Sequence, residues 1–189
     1  LAKELEHKIG TLINERNFCL VSSGTIALQL LIHEMQLSGE IITTPFTYVA
    51  TINSILWEKC KPVFVDIDKK TLCIDPKLVE EKITDKTTAI IGVHVYGIPC
   101  DVFSLDEIAK KNNIKIIYDA AHAFHTKVDN KPISDYGDAS IFSFHATKLF
   151  HTIEGGGVVS KDNNLHSRID LARVFGHNYE DYFQCGINA

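Results

Sequence analysis

Apolar residues in this chain come in short runs, and between the runs they recur at helical spacing. Residues 18–21, 41–43, 62–67, 88–95, 114–118, 139–144 and 157–160 are apolar nearly throughout and of strand length. Residues 1–12, 26–35, 48–57 and 104–111 carry apolar positions three and four apart, the spacing of a helix with one buried face. Another helix starts at Asp75-Pro76, an N-cap followed by proline at the first helical position. Ser104 and Glu107 have the spacing of a capping box. Strands that are apolar on both faces and alternate with helices predict an α/β fold, with a mostly parallel central sheet between two helical layers. In such sheets ligands bind beyond the carboxyl ends of the strands. The polar residues there are Ser23-Gly24-Thr25, Thr43-Thr44, His94, Asp119 and Ser143.

Composition narrows the class without changing this picture. The 189 residues suit one domain or slightly more, and the net charge of -5 argues against a nucleic-acid surface. Five widely spaced cysteines with no C-x-x-C read as reduced thiols of a cytoplasmic protein. No apolar run has membrane-spanning length. None of the nine histidines falls in an H-E-x-x-H pattern, so no metal site is expected.

Three places could carry chemistry. Ser23-Gly24-Thr25 joins a strand to a helix, where free N–H groups and a close-approaching glycine suit a phosphate; taken alone, the same residues read more readily as an ordinary Ser/Thr helix cap with a turn glycine. Asp119 ends an apolar strand and precedes Ala120-Ala121-His122. A carboxylate there can sit under a ligand ring or simply cap a helix. Lys148 follows an apolar strand and precedes Glu154-Gly155-Gly156-Gly157. A lysine among apolar groups can act as an amine nucleophile, whereas lysine on a loop is ordinarily just solvated. There is no G-x-G-x-x-G after the first strand to indicate a nicotinamide enzyme.

In chain order, SSGTIAL (22–28), TTPFTYVAT (43–51), PVFVDID (62–68), YDAAHAFHT (118–126), GDASIFSFHATK (137–148) and EGGGVVS (154–160) resemble the DegT/DnrJ/StrS family of nucleotide-sugar aminotransferases. The resemblance implies the large domain of a fold-type-I pyridoxal-phosphate (PLP) transferase, a three-layer α/β/α unit over 1–189. It implies PLP as cofactor, with Lys148 as its Schiff-base lysine and Asp119 paired with the ring nitrogen. His122 would lie near the phenolic oxygen, Tyr48 against the ring face, and Gly24, Thr25 and Ser143 around the phosphate. Gly186-Ile187-Asn188-Ala189 resembles the start of a segment whose asparagine reaches the neighbouring subunit's phosphate, so Asn188 becomes a ligand in trans and the enzyme a homodimer with shared sites.

The implied reaction moves an amino group from an amino acid, typically L-glutamate, to a nucleotide-linked keto sugar, a dTDP-4-keto-6-deoxyhexose first among them. The setting would be amino-sugar or polysaccharide biosynthesis, with no nucleic-acid or membrane partner. The family's sugar dehydratases carry histidine in place of the lysine, so Lys148 speaks against them. A non-catalytic or regulatory relative, or another fold-type-I PLP enzyme, is the alternative. The helical pattern already under way at Leu1 and the absence of the family's small C-terminal domain suggest a fragment.

Overall fold

Side-by-side apolar pairs such as Ile41-Ile42, Ile90-Ile91, Ile116-Ile117 and Val158-Val159 point to opposite faces of a strand, so each needs cover on both sides. The computed structural model, which describes residues 1–15, 17–177, 181 and 183–189, supplies that cover. Its elements are α1 (Ala2–Leu12), β1 (Phe18–Val21), α2 (Gly24–Glu34), β2 (Glu40–Thr43), α3 (Val49–Trp57), β3 (Lys61–Phe64), α4 (Pro76–Lys82) and β4 (Thr87–Val93). After a 3-10 turn (Val95–Gly97) come α5 (Val102–Asn112), β5 (Lys115–Asp119), the two-residue strands β6 (Lys127–Val128) and β7 (Lys131–Pro132), a second 3-10 turn (Ile133–Asp135), β8 (Ala139–Ser143), β9 (Gly156–Ser160) and α6 (Asn163–Ala172).

Seven strands form one sheet in the order β1-β9-β8-β5-β4-β2-β3. β9 pairs antiparallel with both β1 and β8, and all other pairs are parallel, so β9 alone runs against the rest. One core lies between the sheet and α1, α4 and α5, around Ile42, Ile90, Ile116 and Phe142. The other lies under α2, α3 and α6, around Ile41, Ile91, Ile117 and Ile141. This is the expected three-layer α/β architecture. The carboxyl ends of β2, β4, β5 and β8 fall on one edge, which brings Thr44, His94, Asp119 and Ser143 to the same side.

Several boundaries differ from the sequence reading, each for a local reason. α2 starts at Gly24 rather than residue 26, because Ser23 is the N-cap and its Oγ accepts the Ile26 N–H (3.2 Å). α5 starts at Val102, and its cap is Asp101, which accepts from the Ser104 N–H (3.1 Å) and hydroxyl (2.7 Å). Ser104 therefore sits inside the helix and heads no capping box. β3 stops at Phe64, and Ile67 forms only an isolated bridge to Ile74. α6 and the β6–β7 hairpin had no counterpart in the reading. No helix among the described residues is long and apolar enough to cross a membrane.

The last helix is tied to the first by charge. The buried Arg173 guanidinium, just past α6, bonds Glu6 of α1, Asp170 of α6 and the Leu20 carbonyl of β1 (2.6 Å to the last). Breaking a buried pair by removing one partner costs on the order of 3–5 kcal/mol, since the other charge is left desolvated. Arg173→Met is therefore expected to lower unfolding free energy by that order in urea titration of the full-length protein. A loss below about 1 kcal/mol, the worth of a surface pair, would show that the network contributes little.

Candidate active site

A cavity of about 770 Å³ opens at the carboxyl edge of the sheet, between the start of α2, the start of α3 and the turns after β4, β5 and β8. It gathers Gly24, Thr25 and Ser143 at one end, and Asp119, His122, Tyr48 and Lys148 around the rest. Of the residues to which the family resemblance gives a role toward the cofactor, Asn188 alone lies elsewhere. It is exposed and pairs in an isolated bridge with Val174, beyond α6.

The Gly24 end is built to accept an anion. Ser23 satisfies the N–H of Ile26 through its side chain and that of Ala27 through its carbonyl (3.0 Å). The N–H groups of Gly24 and Thr25 have no bond among the described residues, as expected of a first turn. They carry the positive end of the helix dipole. Glycine suits position 24: a Cβ there would press to 3.0 Å from the Cβ of Ser143. That closeness is what sets the β8 hydroxyl beside the helix start.

The Asp119 end favours a cation. This carboxylate is buried at the tip of β5, with Oδ2 accepting the Thr51 hydroxyl (2.8 Å) and Oδ1 the Ala121 N–H (3.1 Å). Burial pushes its pKa up from the ordinary 3.8, against the lowering pull of those two bonds and of His122 and Lys148. Thr51 did not stand out in the sequence, although it lies one helical step from Tyr48 and links on through Thr47 (2.8 Å).

Lys148 rides on a closed excursion of chain between β8 and β9. The Phe144 N–H donates to the Gly155 carbonyl (2.8 Å), and the Phe144 carbonyl accepts the Thr152 N–H (2.9 Å). Within it, the Lys148 N–H donates to the His145 carbonyl (2.9 Å), and His145 Nδ1 accepts the Thr147 N–H (3.2 Å). Tyr48 is the N-cap residue of α3 and stands 73% exposed at the cavity mouth. Tyr96, which sequence reasoning passed over, completes the rim, edge-on to Phe46 with ring centroids 6.5 Å apart. His94, although at a strand end, turns away from the cavity. It is fully buried, stacks on Tyr118 (4.6 Å), accepts the Cys100 N–H (3.0 Å), and is pushed by burial to a pKa of about 3.

The fold that carries this cavity recurs in known proteins. The chain is 46% identical over 175 residues to a dTDP-4-amino-4,6-dideoxy-D-glucose transaminase of Shigella dysenteriae, an alignment covering 93% of this chain and 48% of that one. The solved structure of DesI, determined in the presence of its TDP-sugar product, superposes with a TM-score of 0.92 at 37% identity, over 98% of this chain and 48% of DesI. The structure of ntda from Bacillus subtilis, with bound cofactor PMP, gives a TM-score of 0.91 at 27% identity, over 99% and 44%. The chain spans about half the length of the curated relatives it matches. A family model matches residues 1–188, and the chain belongs to the DegT/DnrJ/EryC1/StrS aminotransferase family.

Proposed function

We propose that this chain holds PLP, and that the protein containing it transfers an amino group from an amino acid, L-glutamate first, to a nucleotide-linked keto sugar. One observation carries the reading. A single cavity joins an open helix N-terminus, a buried carboxylate of raised pKa and a lysine. Those are the complements of a phosphate, a protonatable ring nitrogen and an aldehyde, and PLP carries all three. The relatives' names support the sugar class, since a transaminase of a 4-amino-4,6-dideoxy sugar acts on the 4-keto form in the reverse direction.

When bound, PLP supplies an electron sink for negative charge at the donor's α carbon. Gly24 and Thr25 N–H groups, with the Ser143 hydroxyl beside them, hold the phosphate at the helix end. Asp119 keeps the ring nitrogen protonated, and Thr51 and the Ala121 N–H hold its carboxylate in place. Tyr48, at the cavity mouth, would cover the cofactor, and Lys148 would anchor it; the Lys148 amine, when free, would hold the proton taken from the donor's α carbon. Residues 1–189 form the cofactor-holding large domain. Asn188, on the outer surface past α6, serves the site of a second copy in a homodimer with shared sites. A cytoplasmic setting suits five cysteines that are all free.

Lys148→Ala in the full-length protein is expected to abolish both the visible absorption band of lysine-bound PLP and the half-reaction with L-glutamate. Retained turnover would sink the assignment, and no band in the unaltered protein would remove PLP. Asp119→Asn is expected to keep PLP bound while slowing the half-reaction a hundredfold or more, about 3 kcal/mol in the barrier; an unchanged rate would mean that Asp119 is not the ring partner. The same variant tests the pKa. Because the folded-state value is raised, the Asp119 contribution to stability is complete below pH 3.8 and is lost as pH rises through the folded-state value. Ligand-free Asp119→Asn should lack that part of the decline when both proteins are unfolded in urea across this range, and identical slopes would contradict it.

A further inference from the structure

Tyr96 is held in an unusual conformation for a reason that its own turn does not supply. It has φ 53° and ψ 23°, the left-handed region that bulky residues rarely enter, and Gly97 follows at φ 84°. The turn is closed by other groups: the Gly97 N–H donates to the His94 carbonyl (3.2 Å) and the Ile98 N–H to the Val95 carbonyl (2.9 Å). That leaves the Tyr96 N–H free of the turn, and it donates to Nδ1 of His122 (3.3 Å). The two rings lie parallel, with planes 2° apart and centroids 6.1 Å apart. Gly97 permits the approach, since a Cβ there would come to 3.1 Å from the His122 carbonyl oxygen.

An imidazole nitrogen that accepts a hydrogen bond carries no proton, so a neutral ring accepting at Nδ1 must be protonated at Nε2. We propose that Tyr96 is a positioning residue whose main-chain N–H, presented by its left-handed backbone, locks His122 as the Nε2–H tautomer, so that the imidazole offers the cavity a hydrogen-bond donor and no acceptor. Protonation of Nδ1 and the Tyr96 bond exclude each other. The surroundings favour the neutral ring: partial burial and then the Lys148 ammonium push the His122 pKa below its usual value, against the opposing pull of Asp119. A donor-only contact selects an anionic oxygen over a hydroxyl that must itself donate. The use of that donor toward a phenolic oxygen rests on the PLP reading, whereas the lock is a property of this chain alone.

The two parts separate by experiment. In full-length protein with 15N-labelled histidine and no cofactor, long-range proton–nitrogen NMR should show a pyridine-like Nδ1 and a pyrrole-like Nε2 for His122, identified by its loss in His122→Gln. Tyr96→Gly, which keeps the N–H and tolerates the backbone, should retain that pattern. A reversed or averaged pattern in the unaltered protein, or loss of the pattern in Tyr96→Gly, overturns the main-chain lock. With PLP, the glutamine amide nitrogen can occupy the place of Nε2, and the asparagine amide only that of Nδ1. His122→Gln should therefore keep the absorption maximum of bound PLP and its pH midpoint, while His122→Asn shifts both; the opposite ranking overturns the donor role. A locked tautomer in a protein that never gains a PLP band would reject the cofactor and leave the lock standing.

Discussion

A carboxylate buried at the tip of a central strand is costly unless something positive or hydrogen-bonding meets it, and the site is arranged around that need at Asp119. Each oxygen has one protein partner, and the partners come from different elements. Thr51 belongs to α3, and the Ala121 N–H belongs to the turn that carries His122. The same two bonds that partly offset the desolvation of the charge therefore set the start of α3, with Tyr48 at its cap, and the turn bearing His122. The turn is held further by the Ala120 N–H on the Ile141 carbonyl (2.9 Å), which ties it to β8, the strand leading to Lys148. What remains uncompensated in the carboxylate is an attraction for a cation in the cavity.

The sheet brings the anion-binding end within reach of this charge. Parallel β4, β5 and β8 deliver their ends to one edge, and α2 begins tight against β8, where a Cβ on Gly24 would come to 3.0 Å from that of Ser143. Antiparallel β9 then returns the chain beside β8, so the loop bearing Lys148 leaves and re-enters the sheet at neighbouring strands. An aromatic cluster holds this loop from below. Phe150, inside the loop, stacks on Phe124 at 4.5 Å and meets Phe144 edge-on at 5.3 Å. Lys148 is thereby mounted on packed rings and two main-chain bonds, the rigid support that a positioned amine requires.

The elements that show in the sequence are those with a local signature. Paired apolar residues mark the strands, Asp75-Pro76 marks the start of α4, and the glycines 155–157 mark the end of the loop that carries Lys148. α6 escapes because its buried face is only Leu165, Ile169 and Ala172 on an otherwise polar helix. β6 and β7, at two residues each, are too short to leave a pattern. The start of α5 is misread because Ser104 mimics a cap that Asp101 provides. Within the site, Gly24, Asp119 and Lys148 are legible because strand ends and glycines point to them. Thr51 and Tyr96 are not, since one acts through a carboxylate distant in sequence and the other through a backbone angle and a main-chain N–H, neither of which side-chain chemistry reports.

Left-handed backbone occurs at helix ends, in outer loops such as those of Leu72 and Asp129-Asn130, and at the working edge. Asn14, Gln36, Lys59 and Asn113 take positive φ where α1, α2, α3 and α5 end, the ordinary left-handed termination of a helix. At the working edge Tyr96 and Ile153 take it away from any α-helix end, and a β-branched residue at φ 73° is the less tolerable of the two. One lies in the turn that meets His122, and the other lies beside Glu154 in the loop that holds Lys148. Conformations of this kind cost on the order of 1–3 kcal/mol each and persist only where the surroundings over-determine them. Here the surroundings are the Phe144, Thr152 and Gly155 bonds on one side and, on the other, the Tyr96 N–H bond to His122 with the close approach of Gly97 to the His122 carbonyl. Both residues are exposed rather than part of the core, one in the turn that meets His122 and the other in the loop that carries Lys148, so whatever strain they hold is carried by the stability of the two covered sheet faces.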